Sequence, residues 1–280
     1  MERYLFFLPV VLFLTALTSS PPQNIAVTVN PSGGAGCLSG SICPPGNWKI
    51  VAAEEFNGTG LDPNGPLTTT TGWCCGNQFW IDNSGDGTGW TPAFTGSTVV
   101  LYSYSNGAHG CGSNNTFNLC GGTGFTWKGT TGSGYYEARM KDGSDGAYKV
   151  FWTLVDNGDC TGGGAYLTNG FEADISESFG GTSAQVNTHW GGYGGCHNSD
   201  PSCCYNPADA FHLWGVQWPD ASGGITYWRD GVAIKSTAGP VDTTGTVATG
   251  LNGGLQIAGV KGQANGGTME VDWVRYYQKQ

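Results

Sequence analysis

The sequence predicts an all-β fold made of short strands joined by many turns. Glycine accounts for 49 of the 280 residues, against a usual share of about 7%. Charged residues make up only 11% of the chain, and tryptophan, tyrosine and threonine are frequent. This composition excludes a coiled coil, a long-helix protein and a charge-rich disordered chain, and it is typical of a turn-rich β domain.

Individual strands are indicated by short alternating or apolar runs between Gly, Asn, Asp and Thr. The run Gly134–Lys141 alternates cleanly and places Tyr136, Ala138 and Met140 on one face. An Asp-Gly pair at 230–231 predicts a hairpin turn between strands. The further predicted strands are Ser97–Tyr104, Lys149–Val155, Phe171–Ser178, Ala184–Trp190, His212–Trp218, Ile225–Arg229, Gly254–Val260 and Glu270–Tyr277. About a dozen strands without helices leave a two-sheet sandwich or a closed barrel.

The amino terminus predicts export. Residues 5–17 (LFFLPVVLFLTAL) form an apolar run that is short for a membrane span and is followed by small residues. We expect a signal peptide over 1–20, a loose Pro/Gly/Ser-rich leader over 21–45 and one domain over 46–280, with an uncleaved anchor as the alternative. The mature protein is then expected to be extracellular and free of the membrane.

Ten cysteines agree with export, because an even count in a secreted chain indicates disulfides. Cys37–Cys43 and Cys111–Cys120 are expected as local pairs. The neighbours Cys74–Cys75 and Cys203–Cys204 are expected to bond to separate partners. A zinc site is the disfavoured alternative, since the chain has no C-x-x-C pair.

The charge balance limits the classes of partner that the chain can bind. The formal net charge is −10, with only 11 lysines and arginines. No basic patch large enough for nucleic acid or an anionic membrane follows from this supply. We expect a monomer with no nucleic-acid or membrane partner.

The most informative segment is the acidic run Phe171–Ser178. Glu172 and Glu177 are two of the seven glutamates of the chain, and Asp174 lies between them. Carboxylates are rare in strands, and no Lys or Arg lies nearby in the sequence. Strict alternation places Glu177 on the opposite face, whereas one bulged residue at 175 or 176 makes all three converge. The alternative is that these carboxylates simply lie on a solvent-exposed face of the strand.

Three converging carboxyl groups suit glycoside hydrolysis with retention of configuration. That reaction needs two carboxyl groups about 5–5.5 Å apart, one as nucleophile and one as acid/base. Two long glutamate side chains on one strand can lean together to close that gap, and mutual repulsion raises the pKa of the acid.

The acidic run resembles the E-x-D-x-x-E signature of glycoside hydrolase family 16, the laminarinase-like β-jelly-roll enzymes. Further segments resemble family motifs in the family's order. They are Glu54–Gly58 (EEFNG), Gly134–Lys141 (GYYEARMK), Phe151-Trp152, Asn187–Trp190 (NTHW), Trp228–Gly231 (WRDG) and Met269–Arg275 (MEVDWVR). The resemblance implies a sandwich of two curved antiparallel sheets with a cleft across the concave one.

The resemblance also implies site residues. It assigns Glu172 as nucleophile, Asp174 as its supporting acid and Glu177 as acid/base. Trp152, His189 and Gln256 are implied in substrate binding by their family positions. No cofactor is implied for catalysis, but Glu55 and Asp272 stand where the family often binds a structural calcium ion, with ordinary salt bridges as the alternative.

The sequence is compatible with several polysaccharides as the substrate. The five-residue spacing of the signature resembles that of the branch acting on β-1,3-glucans, agars and carrageenans. Because the net charge of −10 repels sulfated galactans, the sequence favours a β-1,3- or β-1,3/1,4-glucan. A galactan, transglycosylation, and glycan binding without turnover are the alternatives. The family's Trp-Pro before the signature and its Met before the last Glu are both replaced here, the latter by Ser176.

Overall fold

The structure is a computed structural model that describes residues 34–74, 79–83, 91–103, 119–129, 132–156, 171–190, 198–237, 246–247, 253–260 and 266–280. The predicted signal peptide lies outside these ranges, as do Cys111 and the segment 165–170. In the part of the chain that is described, no helix is long and apolar enough to cross a membrane.

The described residues form strands and no helix, and every pairing between strands is antiparallel. The strands are β1 (Trp48–Glu54), β2 (Leu67–Thr69), β3 (Gly72–Cys74), β4 (Phe79–Ile81), β5 (Ala93–Phe94), β6 (Val99–Tyr102), β7 (Gly124–Trp127), β8 (Gly134–Asp142), β9 (Tyr148–Asp156), β10 (Phe171–Ser178), β11 (Ala184–Trp190), β12 (Asn198–Tyr205), β13 (His212–Trp218), β14 (Ile225–Arg229), β15 (Val232–Thr237), β16 (Thr246–Val247), β17 (Gly254–Ala258) and β18 (Thr268–Lys279).

Two large sheets make up the molecule. The first has the order β15-β14-β13-β8-β18-β6-β5, with β1 also paired to β18. The second has the order β12-β11-β10-β9-β17-β7-β2, with β16 beside β9. A hydrophobic core lies between them, so the predicted sandwich is confirmed and the closed barrel is not formed.

The core is built by the apolar faces of both sheets. Tyr136, Ala138 and Met140 of β8 enter it as the alternation predicts. From the second sheet, Phe151 of β9 and Ile175 of β10 meet them. Complete burial of such side chains contributes about 1.5–3 kcal/mol each, which makes the facing sheets the main source of stability.

The predicted hairpin at 230–231 is confirmed. It joins β14 to β15, and Asp230 and Gly231 both adopt a positive φ, 51° and 80°. This left-handed backbone matches the twist of the flanking strands and is easily adopted by glycine.

Residues 34–47, which we call the N-terminal staple, pack on the outer face of the first sheet. The predicted disulfide Cys37–Cys43 closes a loop within it. Both cysteines are buried in a small cluster with Trp48, Tyr135 and Tyr277. We expected a loose, disulfide-pinned leader over 21–45. Residues 34–45 are pinned by this disulfide and lie against the first sheet, and the earlier part of the leader lies outside the described residues.

An arginine anchors the staple to the sheet. Arg275 of β18 donates from Nε and Nη2 to the two carboxylate oxygens of Glu55 at 2.7 and 2.9 Å. Its Nη1 donates to the Ser39 carbonyl at 2.8 Å and to Ser41 Oγ at 2.9 Å. The guanidinium also lies 4.0 Å from the ring centroid of Trp273. One cation thus links the staple, the segment after β1 and β18.

Glu137 of β8 lies beneath the staple and is fully buried. Its Oε1 accepts hydrogen bonds from the Ile42 amide and the Tyr135 hydroxyl, both at 3.1 Å. Burial raises the pKa of Glu137 to about 7, although these donors and the charge of Arg275 act in the opposite direction. We call Arg275, Glu55, Ser41 and Glu137 the Arg275 network.

The expectation for the neighbours Cys203 and Cys204 was wrong. The structure joins them to each other in a disulfide, with their Cα atoms 3.2 Å apart. Cys120 is also disulfide-bonded, but its expected partner Cys111 lies outside the described residues.

Candidate active site

A β-bulge in β10 brings the acidic side chains together. On β9, Asp174 lies opposite Trp152 while Ser176 lies opposite the very next residue, so β10 carries one extra residue between them. Ile175 fills this position and is buried in the core. The shift restores Glu177 to the face of Asp174, and the bulge predicted at 175 or 176 is therefore confirmed.

We call the outer surface of the second sheet around these carboxylates the acidic face. Its floor is made by alternate residues of four adjacent strands. They are Tyr148, Val150, Trp152 and Leu154 of β9, Glu172, Asp174 and Glu177 of β10, Gln185, Asn187 and His189 of β11, and Gln256 of β17.

His189 provides a positive charge among the carboxylates. It lies directly opposite Glu172 on β11, and its Nε2 is 3.1 Å from Asp174 Oδ2. The side-chain amide of Asn187 lies 2.7 Å from the same nitrogen. Burial disfavours the charged ring, but the hydrogen bond to Asp174 and the charges of the three carboxylates outweigh it and raise the pKa of His189 to about 9. The imidazole is therefore protonated at neutral pH.

Glu177 accepts one hydrogen bond on each oxygen. The Tyr148 hydroxyl donates to Oε1 at 3.1 Å, and the Gln185 amide donates to Oε2 at 2.6 Å. Tyr148 stays a donor, because burial and the negative charges of the cluster raise its pKa well above the ordinary value. No hydrogen bond reaches the Glu172 carboxyl group from the described residues, so the two glutamates have different surroundings.

Both glutamates hold protons more tightly than free side chains do. Burial raises the pKa of Glu172 and of Glu177, and the negative charge of Asp174 raises both further. His189 lowers both, and the two donors lower that of Glu177. A group of this kind can retain a proton at neutral pH while its neighbour is ionised, which is the requirement of a paired acid and nucleophile.

Trp152 and Gln256 lie side by side beyond Asp174. The indole Nε1 donates to Gln256 Oε1 at 3.1 Å. Trp152 is only 4% exposed and Gln256 is fully buried, because Ile81 and Leu119 pack into the same apolar cluster as Trp152. Gln256 thus orients the indole, and contact of either residue with a sugar stays a prediction.

The two residues expected at a calcium site are each held by an arginine. Both carboxylate oxygens of Glu55 accept hydrogen bonds from Arg275, and Asp272 forms an ion pair with Arg139. Among the described residues, no group of three or more His, Cys, Asp or Glu side chains is arranged to hold a metal ion. These contacts match the salt-bridge alternative, and a structural calcium ion at Glu55 and Asp272 stays a prediction.

A match to a family model shows which family the chain belongs to. The model for glycosyl hydrolases family 16 matches residues 96–275, which is more than half of the chain. The chain belongs to glycosyl hydrolases family 16. The resemblance read from the acidic run is confirmed, and so is a glycoside hydrolase fold. No curated protein sequence matches the chain at a significant level.

Solved family 16 structures share the jelly-roll fold. The catalytic domain of a laminarinase, an endo-1,3-beta-glucanase from Thermotoga petrophila RKU-1, superposes with a TM-score of 0.59 at 17% identity, covering 84% of this chain and 99% of that one. Porphyranase B from Zobellia galactanivorans superposes with a TM-score of 0.58 at 19% identity, covering 83% and 93%. A laminarinase from Rhodothermus marinus gives 0.58 at 17%, covering 84% and 98%.

Two residues of the acidic face, Tyr148 and Gln185, escaped the sequence reasoning. Each contacts Glu177 across a strand boundary, so its proximity depends on strand order and register. The available signal was alternation, since Tyr148 precedes Val150 and Trp152 on one face of β9, and Gln185 precedes Asn187 and His189 on one face of β11. The strand order β11-β10-β9 was the missing information.

Proposed function

We propose that the protein is a secreted, retaining endo-glycosidase that hydrolyses a β-1,3- or β-1,3/1,4-glucan by double displacement. The convergence of Glu172, Asp174 and Glu177 on one face of a family 16 sheet carries the proposal. Export is supported by the apolar amino terminus and the cysteine content.

In the first step, a carboxylate oxygen of Glu172 forms a bond to the anomeric carbon while the bond to the leaving sugar breaks. Glu177 gives its proton to the departing oxygen. In the second step, water attacks the anomeric carbon, Glu177 takes the proton of the water, and the bond to Glu172 breaks.

Asp174 and His189 set the charge around both glutamates. The positive imidazole of His189 lies directly opposite Glu172, and its charge lowers the pKa of both glutamates. The negative charge of Asp174 raises the pKa of both, which favours one proton held by the pair, and the family position of the acid/base assigns that proton to Glu177. Trp152 and His189 are the residues that we expect to touch the sugar, and Gln256 acts through the indole that it orients.

The charge distribution favours a neutral polymer over a sulfated one. Arg139, Arg229 and Arg275 all lie in the first sheet, away from the acidic face. Lys149, on β9, is buried and paired with Asp145. Among the described residues of β9, β10 and β11, no cation except His189 is available to bind a sulfate group, and three carboxylates repel one.

The test is product analysis on laminarin, lichenan, agarose, carrageenan and xyloglucan, with the anomer of the first product read by proton NMR. Oligosaccharides from laminarin or lichenan that appear first as the β-anomer support the proposal. Cleavage of agarose or carrageenan alone overturns the glucan assignment, and longer oligosaccharides indicate transglycosylation. Binding without cleavage by folded protein overturns the enzymatic proposal.

Expression with the native amino terminus, followed by mass measurement of the secreted chain, tests export.

A further inference from the structure

The surroundings of Glu177 are set by strand register. Gln185 lies directly opposite Glu177 on β11. On β9, Val150 lies opposite Glu177, and Tyr148 lies two residues before Val150 on the same face. The Tyr148 ring packs on Phe179, just after β10, with centroids 5.2 Å apart. The two donors therefore approach Glu177 from opposite sides, and both are fixed by neighbouring structure.

Two donors on one carboxyl group favour its negative form. Hydrogen bonds to a charged group contribute about twice as much as those between neutral groups. Glu177 is neutral before it protonates the leaving sugar and negative afterwards, so these bonds strengthen as the proton leaves. Interactions that are stronger in the transition state than in the ground state accelerate the reaction.

We propose that Tyr148 and Gln185 are positioning residues for Glu177, which orient its carboxyl group and stabilise the negative charge that it acquires on proton transfer. The inference rests on the proposed function and adds two residues to it. In the second step, the same donors hold the carboxylate that takes the proton of water.

The titratable groups that face Glu177 come from all its neighbouring strands. They are Glu172 and Asp174 on β10, Tyr148 on β9 and His189 on β11. On β17, the nearest residue of the acidic face is the uncharged Gln256. Because the hydrogen bonds from Tyr148 and Gln185 lower the pKa of Glu177, their removal moves that pKa upward.

The experiment compares Tyr148→Phe, Gln185→Met and the double variant with wild type. Tyr148→Phe keeps the ring on Phe179, and Gln185→Met keeps the length of the side chain. On polysaccharide, we expect kcat/KM at the optimum to fall about tenfold for each single variant, and the alkaline limb of its pH profile to move to higher pH. On an aryl glycoside whose leaving group needs no proton, we expect the rate of the glycosylation step to stay within about threefold.

Matched controls are Tyr205→Phe and Gln217→Met, which remove the same groups outside the acidic face. Tyr205 packs on Trp214 of the first sheet, and Gln217 belongs to that sheet. We expect both controls to keep the wild-type pH profile. Equal losses on polysaccharide and aryl glycoside in Tyr148→Phe and Gln185→Met, with the alkaline limb unmoved, overturn the inference.

A titration of the Glu177 carboxyl carbon by carbon-13 NMR separates this inference from the proposed function. A higher pKa of Glu177 in both variants supports the inference even where wild type cleaves no glycan. An unchanged pKa in both variants overturns it, even where wild type is an active glucanase.

Discussion

The acidic face and the Arg275 network both bury carboxyl groups, on the outer surfaces of opposite sheets, but they compensate the charge differently. In the Arg275 network, Glu55 receives two hydrogen bonds from one guanidinium, and Glu137 receives a backbone and a phenolic donor. On the acidic face, Glu172, Asp174 and Glu177 share one positive charge among the described residues, that of His189.

The difference separates a carboxylate that stabilises the fold from one that is available for chemistry. Breaking a well-paired buried ion pair is costly, whereas crowded acids repel one another and raise each other's pKa. Crowding of this kind has no structural benefit, which makes it a functional signal. The comparison predicts that the two regions respond in opposite ways to mutation.

The largest expected difference is in activity. Glu172→Ala removes the nucleophile, so hydrolysis should fall by several orders of magnitude on polysaccharide and on an activated aryl glycoside. Arg275→Met should leave kcat/KM within a few-fold of wild type, measured at a temperature where the variant is folded. Substantial activity in Glu172→Ala, or a comparable loss in Arg275→Met, contradicts the comparison.

Stability should show the reverse order. Arg275→Met leaves Glu55 without its partner and should lower the free energy of unfolding by about 3 kcal/mol, near the lower end for a broken buried pair because Glu55 is partly exposed. Arg139→Met is the matched control. Its ion pair with Asp272 is more exposed and should be worth at most about 1 kcal/mol. Urea denaturation at pH 7 measures the loss of unfolding free energy in both variants. Equal losses would show that the Arg275 network stabilises the fold no more than the exposed ion pair does.

The disulfide of the N-terminal staple should contribute a smaller amount. Cys37→Ser with Cys43→Ser should lower the free energy of unfolding by about 2 kcal/mol, because the short loop gains freedom mainly in the unfolded chain. The pair Cys203→Ser and Cys204→Ser is the control, since neighbouring residues close almost no chain. Thermal denaturation compares them, and a staple variant as stable as wild type would refute the expectation.

The smallest effect concerns pH. The folded pKa of Glu172 is raised above its ordinary value of 4.5, so its contribution to stability is present below that pH and is lost as pH rises toward about 8. Because Glu172 is partly exposed, solvent screens most of this effect. Glu172→Gln should therefore be more stable than wild type by about 1 kcal/mol near pH 8, and this advantage should shrink toward pH 4.5. Unfolding curves at the two pH values decide, and a constant difference would speak against the raised pKa.

Local sequence patterns are enough to predict much of the fold and of the acidic face. Alternation placed Tyr136, Ala138 and Met140 in the core, and the Asp-Gly pair predicted the hairpin at 230–231. The convergence of the three acids also needed only local reasoning, because a bulge is a local feature of one strand.

What the sequence could not predict depends on contacts distant along the chain. The edge strand β12 was missed because NSDPSCCY lacks alternation and contains Pro201, which an edge strand tolerates. The burial of Glu137 could not be predicted either, because the staple that covers it comes from a segment almost a hundred residues earlier. The partners of Glu177 likewise required the strand order.

The central claim is that Glu172 becomes covalently linked to the sugar while Glu177 transfers the proton. The most direct test is trapping with a 2-deoxy-2-fluoro glycosyl fluoride of the sugar that the product analysis identifies, followed by digestion and mass spectrometry of the labelled peptide. Slowed turnover of the intermediate should leave one fluoroglycosyl group on Glu172. A label on Glu177 would reverse the two roles, and fully active enzyme that cleaves its polysaccharide with inversion and takes up no label would contradict the account.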